Sequence, residues 1–189
     1  MNQQLLTFDQ VFAIWLINEV GNPGEVNRLP LAIEKGFSSV SEWRLNTALR
    51  LGLDKKEWYL IEIENPKETL PKIIIGPYQG WSKFFDNKLN TSFEQALQIP
   101  EFFEWCKSHD KIPNIAKDFP SPTTIILFRK SNGEYISIEG GHRVCAVAYA
   151  NKINIPLDIK ISAAVADISD DEIESLIEFL KQGTNKITD

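Results

Sequence analysis

The sequence predicts an α+β fold: a helical N-terminal stretch, then a small mixed β-sheet with flanking helices. Three observations carry this expectation. Leu5, Phe8, Phe12, Trp15, Leu16 and Val20 recur at three- and four-residue steps, the period of an amphipathic helix. Residues 123–128 and 135–138 are β-prone runs joined by Ser131-Asn132-Gly133, whose Asn-Gly pair favours a hairpin. Glu139-Gly140-Gly141 must then break the second strand sharply, and from His142 to Asn151 the residues are helix formers.

Along the chain, Gly21-Asn22-Pro23-Gly24 stops the first helix. Ser39 with Glu42 three places later is a capping-box signal, and the helix it opens runs through Trp43 to a stop at Gly52. Residues 1–54 are therefore expected to form a helical extension packed on the core, with residues 55–189 as the α/β domain. Residues 58–64 alternate and 72–75 are β-branched, so both read as short strands punctuated by Pro66, Pro71 and Pro77. Residues 76–90 lack a period and read as a loop anchored by aromatics. Thr91 with Glu94 predicts a further capped helix, and Pro100 restarts a helical run to Ser108. Pro113, Pro120 and Pro122 predict an extended connection, and a last strand is expected over 157–161 after Pro156.

Charge and composition exclude several classes. Lys and Arg number 20 against 26 Asp and Glu, a formal charge of -6, so the surface as a whole repels nucleic acid. The helix, Pro/Gly turn and second helix near the N-terminus invite a helix-turn-helix reading, yet the second helix carries only Arg44 and Arg50 as cations. No run approaches the length of a membrane helix and the N-terminus lacks signal-peptide features, so no membrane association and a reduced, cytoplasmic setting are expected. Cys106 and Cys145 form no CxxC pair, and with His109 and His142 as the only histidines no metal-ligand spacing is read.

The chemistry is concentrated at Glu139-Gly140-Gly141-His142-Arg143. A helix opening directly after two glycines exposes unpaired backbone N–H groups to a phosphate-bearing ligand, and the glycines let it approach. His142 and Arg143 lie in the first helical turn, where cations oppose the helix dipole unless an anion sits between them and the amides. The competing reading is that the glycines only make a tight turn and that Arg143 pairs with a local carboxylate such as Glu139.

The stretch from Tyr135 to Lys160, with Ile138-Glu139-Gly140-Gly141-His142-Arg143 followed by an alanine-bearing helix, Ile155-Pro156 and a strand, resembles the signature of the ParB/sulfiredoxin superfamily. The resemblance covers about 40 of 189 residues. It implies nucleotide-phosphate binding at Gly140, Gly141, His142 and Arg143. Where sulfiredoxins carry the catalytic cysteine this chain has Gly141, so the resemblance does not extend to sulfinic acid reduction. Glu139 matches the acid of the free-serine kinases of the same superfamily. The implied activity is therefore nucleotide-dependent phosphoryl transfer to a small metabolite, with ATP or another nucleotide and Mg²⁺ as cofactors and Glu139 and His142 as catalytic groups. The alternatives are a non-catalytic nucleotide-binding regulatory module, whose N-terminal helices respond to the ligand, and a ParB-like nuclease or DNA-associated protein.

Further candidates are the acids Glu62, Glu64 and Glu68, of which related kinases would use one, and the cations Lys72, Lys83 and Arg129 as phosphate contacts. Trp81, Phe84 and Phe85 either wall a pocket for a base or anchor their loop. His109 reads as a surface residue at a helix C-terminus.

Overall fold

The computed structural model describes residues 4–20, 28–86 and 88–186. The Gly21-Asn22-Pro23-Gly24 turn lies outside them. A five-stranded mixed sheet in the order β1-β2-β5-β3-β4 carries helices on both faces.

The sheet's centre is the parallel pair of β3 (Thr123–Lys130) and β5 (Ile161–Ile168), in register from Thr123 opposite Ile161 to Lys130 opposite Ile168. β4 (Tyr135–Glu139) returns from β3 through the Asn132-Gly133 turn as the hairpin signal predicts. Ile125, Ile126, Leu127 and Phe128 are all fully buried. Such an unbroken apolar run fits a strand covered on both faces. Successive residues alternate between two cores: Ile125 and Leu127 face one, Ile126 and Phe128 the other. Each buried side chain contributes on the order of 1.5–3 kcal/mol.

The N-terminal region is more than a helical extension. Gln4–Leu6 is a short strand, β1, paired antiparallel to β2 (Trp58–Glu62) at the sheet edge. Leu5 thus belongs to a strand, and the helix α1 (Phe8–Val20) starts two residues beyond Leu6, where Thr7 and Gln10 exchange capping hydrogen bonds. α1 buries Val11 and Trp15 in the core shared with Ile126, Phe128, Ile136 and Ile138. α2 (Leu29–Glu34), absent from the sequence reading, and α3 (Val40–Arg50), capped by Ser39 as expected, follow.

Other corrections have local causes. Residues 66–69 form a helical turn, α4 (Pro66–Thr69), because Pro66 occupies a first-turn position that needs no N–H. The expected strand over 72–75 is reduced to bridges at Ile74, which joins Ile136 on one side and Ser92 on the other. Ile74 N–H donates to Tyr135 O and Ser137 N–H to Ile74 O, so this segment covers the outer edge of β4. Gly76 makes that approach possible, since a Cβ there would run into the Ser137 carbonyl. α5 (Gln79–Ser82) interrupts the expected aromatic loop. The cap of α6 (Phe93–Ala96) is Ser92 with Gln95, one residue after the expected Thr91 and Glu94. α7 (Pro100–Ser108) opens at Pro100 as expected, whereas α8 (Ile112–Lys117) replaces the extended connection and takes Pro113 into its first turn. After α9 (Gly141–Lys152), the strand expected over 157–161 begins only at Ile161, and α10 (Asp170–Gln182) closes the core with Leu176 and Phe179. Among the described residues no helix is long and apolar enough to cross a membrane.

Candidate functional site

The turn expected to bind phosphate is formed as a backbone. Gly140 is the N-cap of α9 with φ +89, in the left-handed region, and a Cβ there would run into Ile125. The N–H groups of Arg143 and Val144 both donate to Gly140 O, while those of Gly141 and His142 have no partner among the described residues. An amide-lined helix end is therefore present.

The guanidinium does not stand beside that end as an open anion ligand. Arg143 is buried at 5% exposure and turned toward the sheet. Its Nη2 donates to both oxygens of Glu139 at 2.8 and 2.7 Å, and its Nη1 donates to Asn18 Oδ1 at 2.9 Å and to Thr123 Oγ1. Asn18 closes the arrangement by donating from Nδ2 to Glu139 at 2.7 Å and to the Thr124 carbonyl at 2.9 Å. Four elements thus meet at one ion pair: β4 supplies Glu139, α9 Arg143, β3 Thr123 and α1 Asn18. The sequence expectation that Arg143 faces a ligand is corrected to the competing one, pairing with Glu139. Burial outweighs the attraction of Arg143 and the Asn18 hydrogen bond and holds the Glu139 carboxyl above the ordinary carboxylate range.

A second ion cluster continues from the next residue of α1. Glu19 pairs with Arg28 at 2.7 Å and with Arg44 of α3 at 2.9 Å, and Arg44 lies 4.0 Å over the Trp43 ring. Tyr78 donates its hydroxyl to the Ile138 carbonyl at 2.7 Å, one residue before Glu139, and burial pushes that phenol up.

His142 lies on the other side of the turn, half-buried, with its ring 5.1 Å from Trp81 and 5.0 Å from His109. Burial first, then the positive field of His109, Lys111, Arg28 and Arg143, lowers its pKa to about 3. It is neutral at pH 7 and offers no cationic charge to a phosphate. His109 is likewise half-buried and shifted down by burial, with its ring 4.6 Å from Trp105 and its Nδ1 accepting from Lys111 N–H. It is not the surface residue that its position at the end of α7 suggests.

The remaining candidates are dispersed. Trp81 packs against Phe93, Phe102, Trp105 and His142, and Phe84 and Phe85 pack on Phe102, so these rings build a core rather than a ring-lined pocket. Lys83 lies 4.9 Å over Phe84, and Arg129 is engaged by both oxygens of Asp167. Lys72 and Glu68 line a cavity of about 430 Å³ beside Lys67 and Lys152, while Glu62 and Glu64 line another of about 370 Å³ beside Lys160. Neither cavity is lined by a residue of the Gly140-Gly141 turn.

The two cysteines, widely spaced in sequence, are brought together: Cys106 and Cys145 are buried with Sγ atoms 3.7 Å apart. Each stands three residues from a histidine, Cys106 before His109 and Cys145 after His142, yet no three of the described His, Cys, Asp or Glu side chains are grouped to hold a metal ion. Sequence reasoning missed Asn18, Thr123, Arg28 and Lys111. A signal for Asn18 existed, since it follows Val11 and Trp15 at steps of four and three and so continues the buried stripe of α1. No family model, no curated protein and no solved structure matches this chain.

Two outcomes follow for the site. Replacing Arg143 by Met leaves Glu139 buried without its cation, and is expected to destabilise the protein by about 3–5 kcal/mol in urea unfolding, with much of the loss restored in the Glu139→Gln, Arg143→Met double variant. For His142 the folded pKa lies below the unfolded one, so its contribution to stability is complete above about pH 6.5 and is lost as pH falls toward about 3. His142→Phe is expected to flatten the stability slope across that window, by at most about 1.4 kcal/mol per pH unit, in denaturation midpoints measured at a series of pH values.

Proposed function

We propose that this chain is a ligand-responsive module of the ParB/sulfiredoxin-like type, in which a nucleotide phosphate at the Gly140-Gly141 turn competes with Glu139 for Arg143 and thereby loosens α1. The fold assignment rests on the order strand, glycine turn, helix, strand from β4 through α9 to β5, which matches the resemblance in sequence. The response rests on one observation: Asn18 of α1 hydrogen-bonds both members of the Glu139–Arg143 pair.

A phosphate docking on the Gly141 and His142 amides lies one helical residue from Arg143, the nearest arginine in sequence, and a guanidinium prefers the doubly charged, bidentate partner. Moving Arg143 outward strips Glu139 and Asn18 of a shared donor, so the ligand and α1 bind the same group in alternative states. That difference in contacts is what lets a ligand shift a conformational equilibrium. A nucleotide would present its phosphate to the Gly141 and His142 amides, and Mg²⁺ would supply charge neutralisation to that phosphate.

Phosphoryl transfer to a small metabolite is the second reading, favoured by the position of Glu139 directly before the glycines with a carboxyl held above its ordinary range. Its side chain is only 12% exposed and is covered by Arg143 and Asn18, so an acceptor hydroxyl has no approach to it until the same clasp opens. Nucleic-acid chemistry is not favoured by the charge of -6.

Thermal shift and calorimetry with ATP, ADP and CTP, each with Mg²⁺, test the proposal. Glu139→Gln frees Arg143 in advance and is expected to tighten nucleotide binding several-fold, whereas Arg143→Met is expected to weaken it by tenfold or more, with no acceptor-dependent nucleotide consumption in the parent protein. Turnover with an amino acid or metabolite panel that disappears in Glu139→Gln establishes the second reading instead.

A further inference from the structure

We propose that Cys106 and Cys145 form a peroxide-oxidisable pair whose disulfide ties α7 to α9 behind the Gly140-Gly141 turn. The inference is independent of nucleotide binding. The chain has two cysteines, 39 positions apart, and the fold brings both to one point with their Sγ atoms 3.7 Å apart, at van der Waals contact. Both are fully buried in the core that holds Phe102, Ala146 and Val144, so each thiol's environment is fixed by packing rather than by solvent.

Bond formation requires the sulfurs to close from 3.7 Å to about 2.05 Å, through side-chain rotation and a shift of one helix. Cys106 lies in the last turns of α7, a helix of nine residues ending at Ser108, and Cys145 lies in the second turn of α9. α7 is the more readily displaced partner, since α9 is buried from Arg143 to Ala150.

The chemistry balances with a peroxide as oxidant. One cysteine thiolate attacks a peroxide oxygen, the O–O bond breaks, and a sulfenic acid and hydroxide form. The second thiolate attacks the sulfenic sulfur, expelling hydroxide, which takes up a proton as water. Net, two thiols give up two electrons and two protons, and hydrogen peroxide becomes two waters. Burial holds Cys145 in its thiol form, so attack waits on an opening that admits the oxidant and lets a proton leave. The pair therefore responds to sustained peroxide or to a state in which α7 has loosened.

The consequence falls on the turn. Trp105 of α7 and Trp81 form ring contacts that continue to His142, the second residue of α9. Drawing α7 onto α9 presses this aromatic layer against the start of α9.

The test uses the reduced full-length protein treated with graded hydrogen peroxide, then denatured, trapped with N-ethylmaleimide and weighed intact, with melting curves taken before and after dithiothreitol. The expected product is a monomer lighter by two hydrogens, without maleimide adducts, melting several degrees above the reduced protein and returning to the original curve on reduction. Cys106→Ala and Cys145→Ala are each expected to lose that upward shift and to gain oxygen or maleimide at the remaining thiol. Oxygen adducts on both cysteines without a crosslink, crosslinked dimers, thiols that stay unmodified even in urea that loosens the fold, or a crosslinked monomer that melts lower overturns the proposal.

Discussion

One buried ion pair joins the parts of this protein on which its functional reading depends. Glu139 ends β4 and Arg143 lies in the first turn of α9, so the sharp turn at Gly140 and Gly141 between them is closed like a clasp by the two side chains it separates. Their spacing of four residues is that of a helical neighbour pair, but the pair spans a strand end and a helix start and is largely shielded from water. Thr123 and Asn18 complete the donors and acceptors, as a buried charge requires. Because Asn18 belongs to α1, the pair also fixes where the N-terminal helix crosses the sheet.

The energetics of such a pair are compatible with the proposed ligand response. Desolvation of two charges nearly cancels their attraction, so an intact buried pair contributes little net stability while a broken one is severely destabilising. The upward displacement of the Glu139 carboxyl, in spite of Arg143 at 2.7 Å, shows desolvation prevailing locally. A competing anion that draws Arg143 away must offset the cost of leaving Glu139 unpaired, a cost that falls if Glu139 takes up a proton. The adjoining Glu19 cluster with Arg28 and Arg44 places a further charged contact at the end of α1 and joins it to α3.

Much of the scaffold was legible in the residues and much of the site was not. The β3–β4 hairpin followed from Asn132-Gly133, α9 from the glycine break, α7 from Pro100, because each depends on local backbone chemistry. The last strand was expected over 157–161 but runs over Ile161–Ile168, because its alanines and Asp167 are poor strand formers in isolation and only pairing with its neighbours, β3 among them, makes them a strand. β1 escaped because three residues carry no period. The prolines misled at α4 and α8, where they open helices instead of ending them. At the site, the identity of the turn residues was readable, but the direction of one side chain was not: whether Arg143 looks outward to a ligand or inward to Glu139 depends on Asn18, 125 positions away. The Cys106 and Cys145 contact is a tertiary fact of the same kind, although the mirrored three-residue spacing to His109 and His142 was present in the sequence.

Hydrogen–deuterium exchange across α1, with and without saturating nucleotide and Mg²⁺, tests the clasp most directly. Amides of α1 near Asn18 are expected to exchange faster when ligand is bound, while those of β3 and α10 keep their protection. Bound nucleotide that leaves α1 protection unchanged, or raises it, contradicts the account.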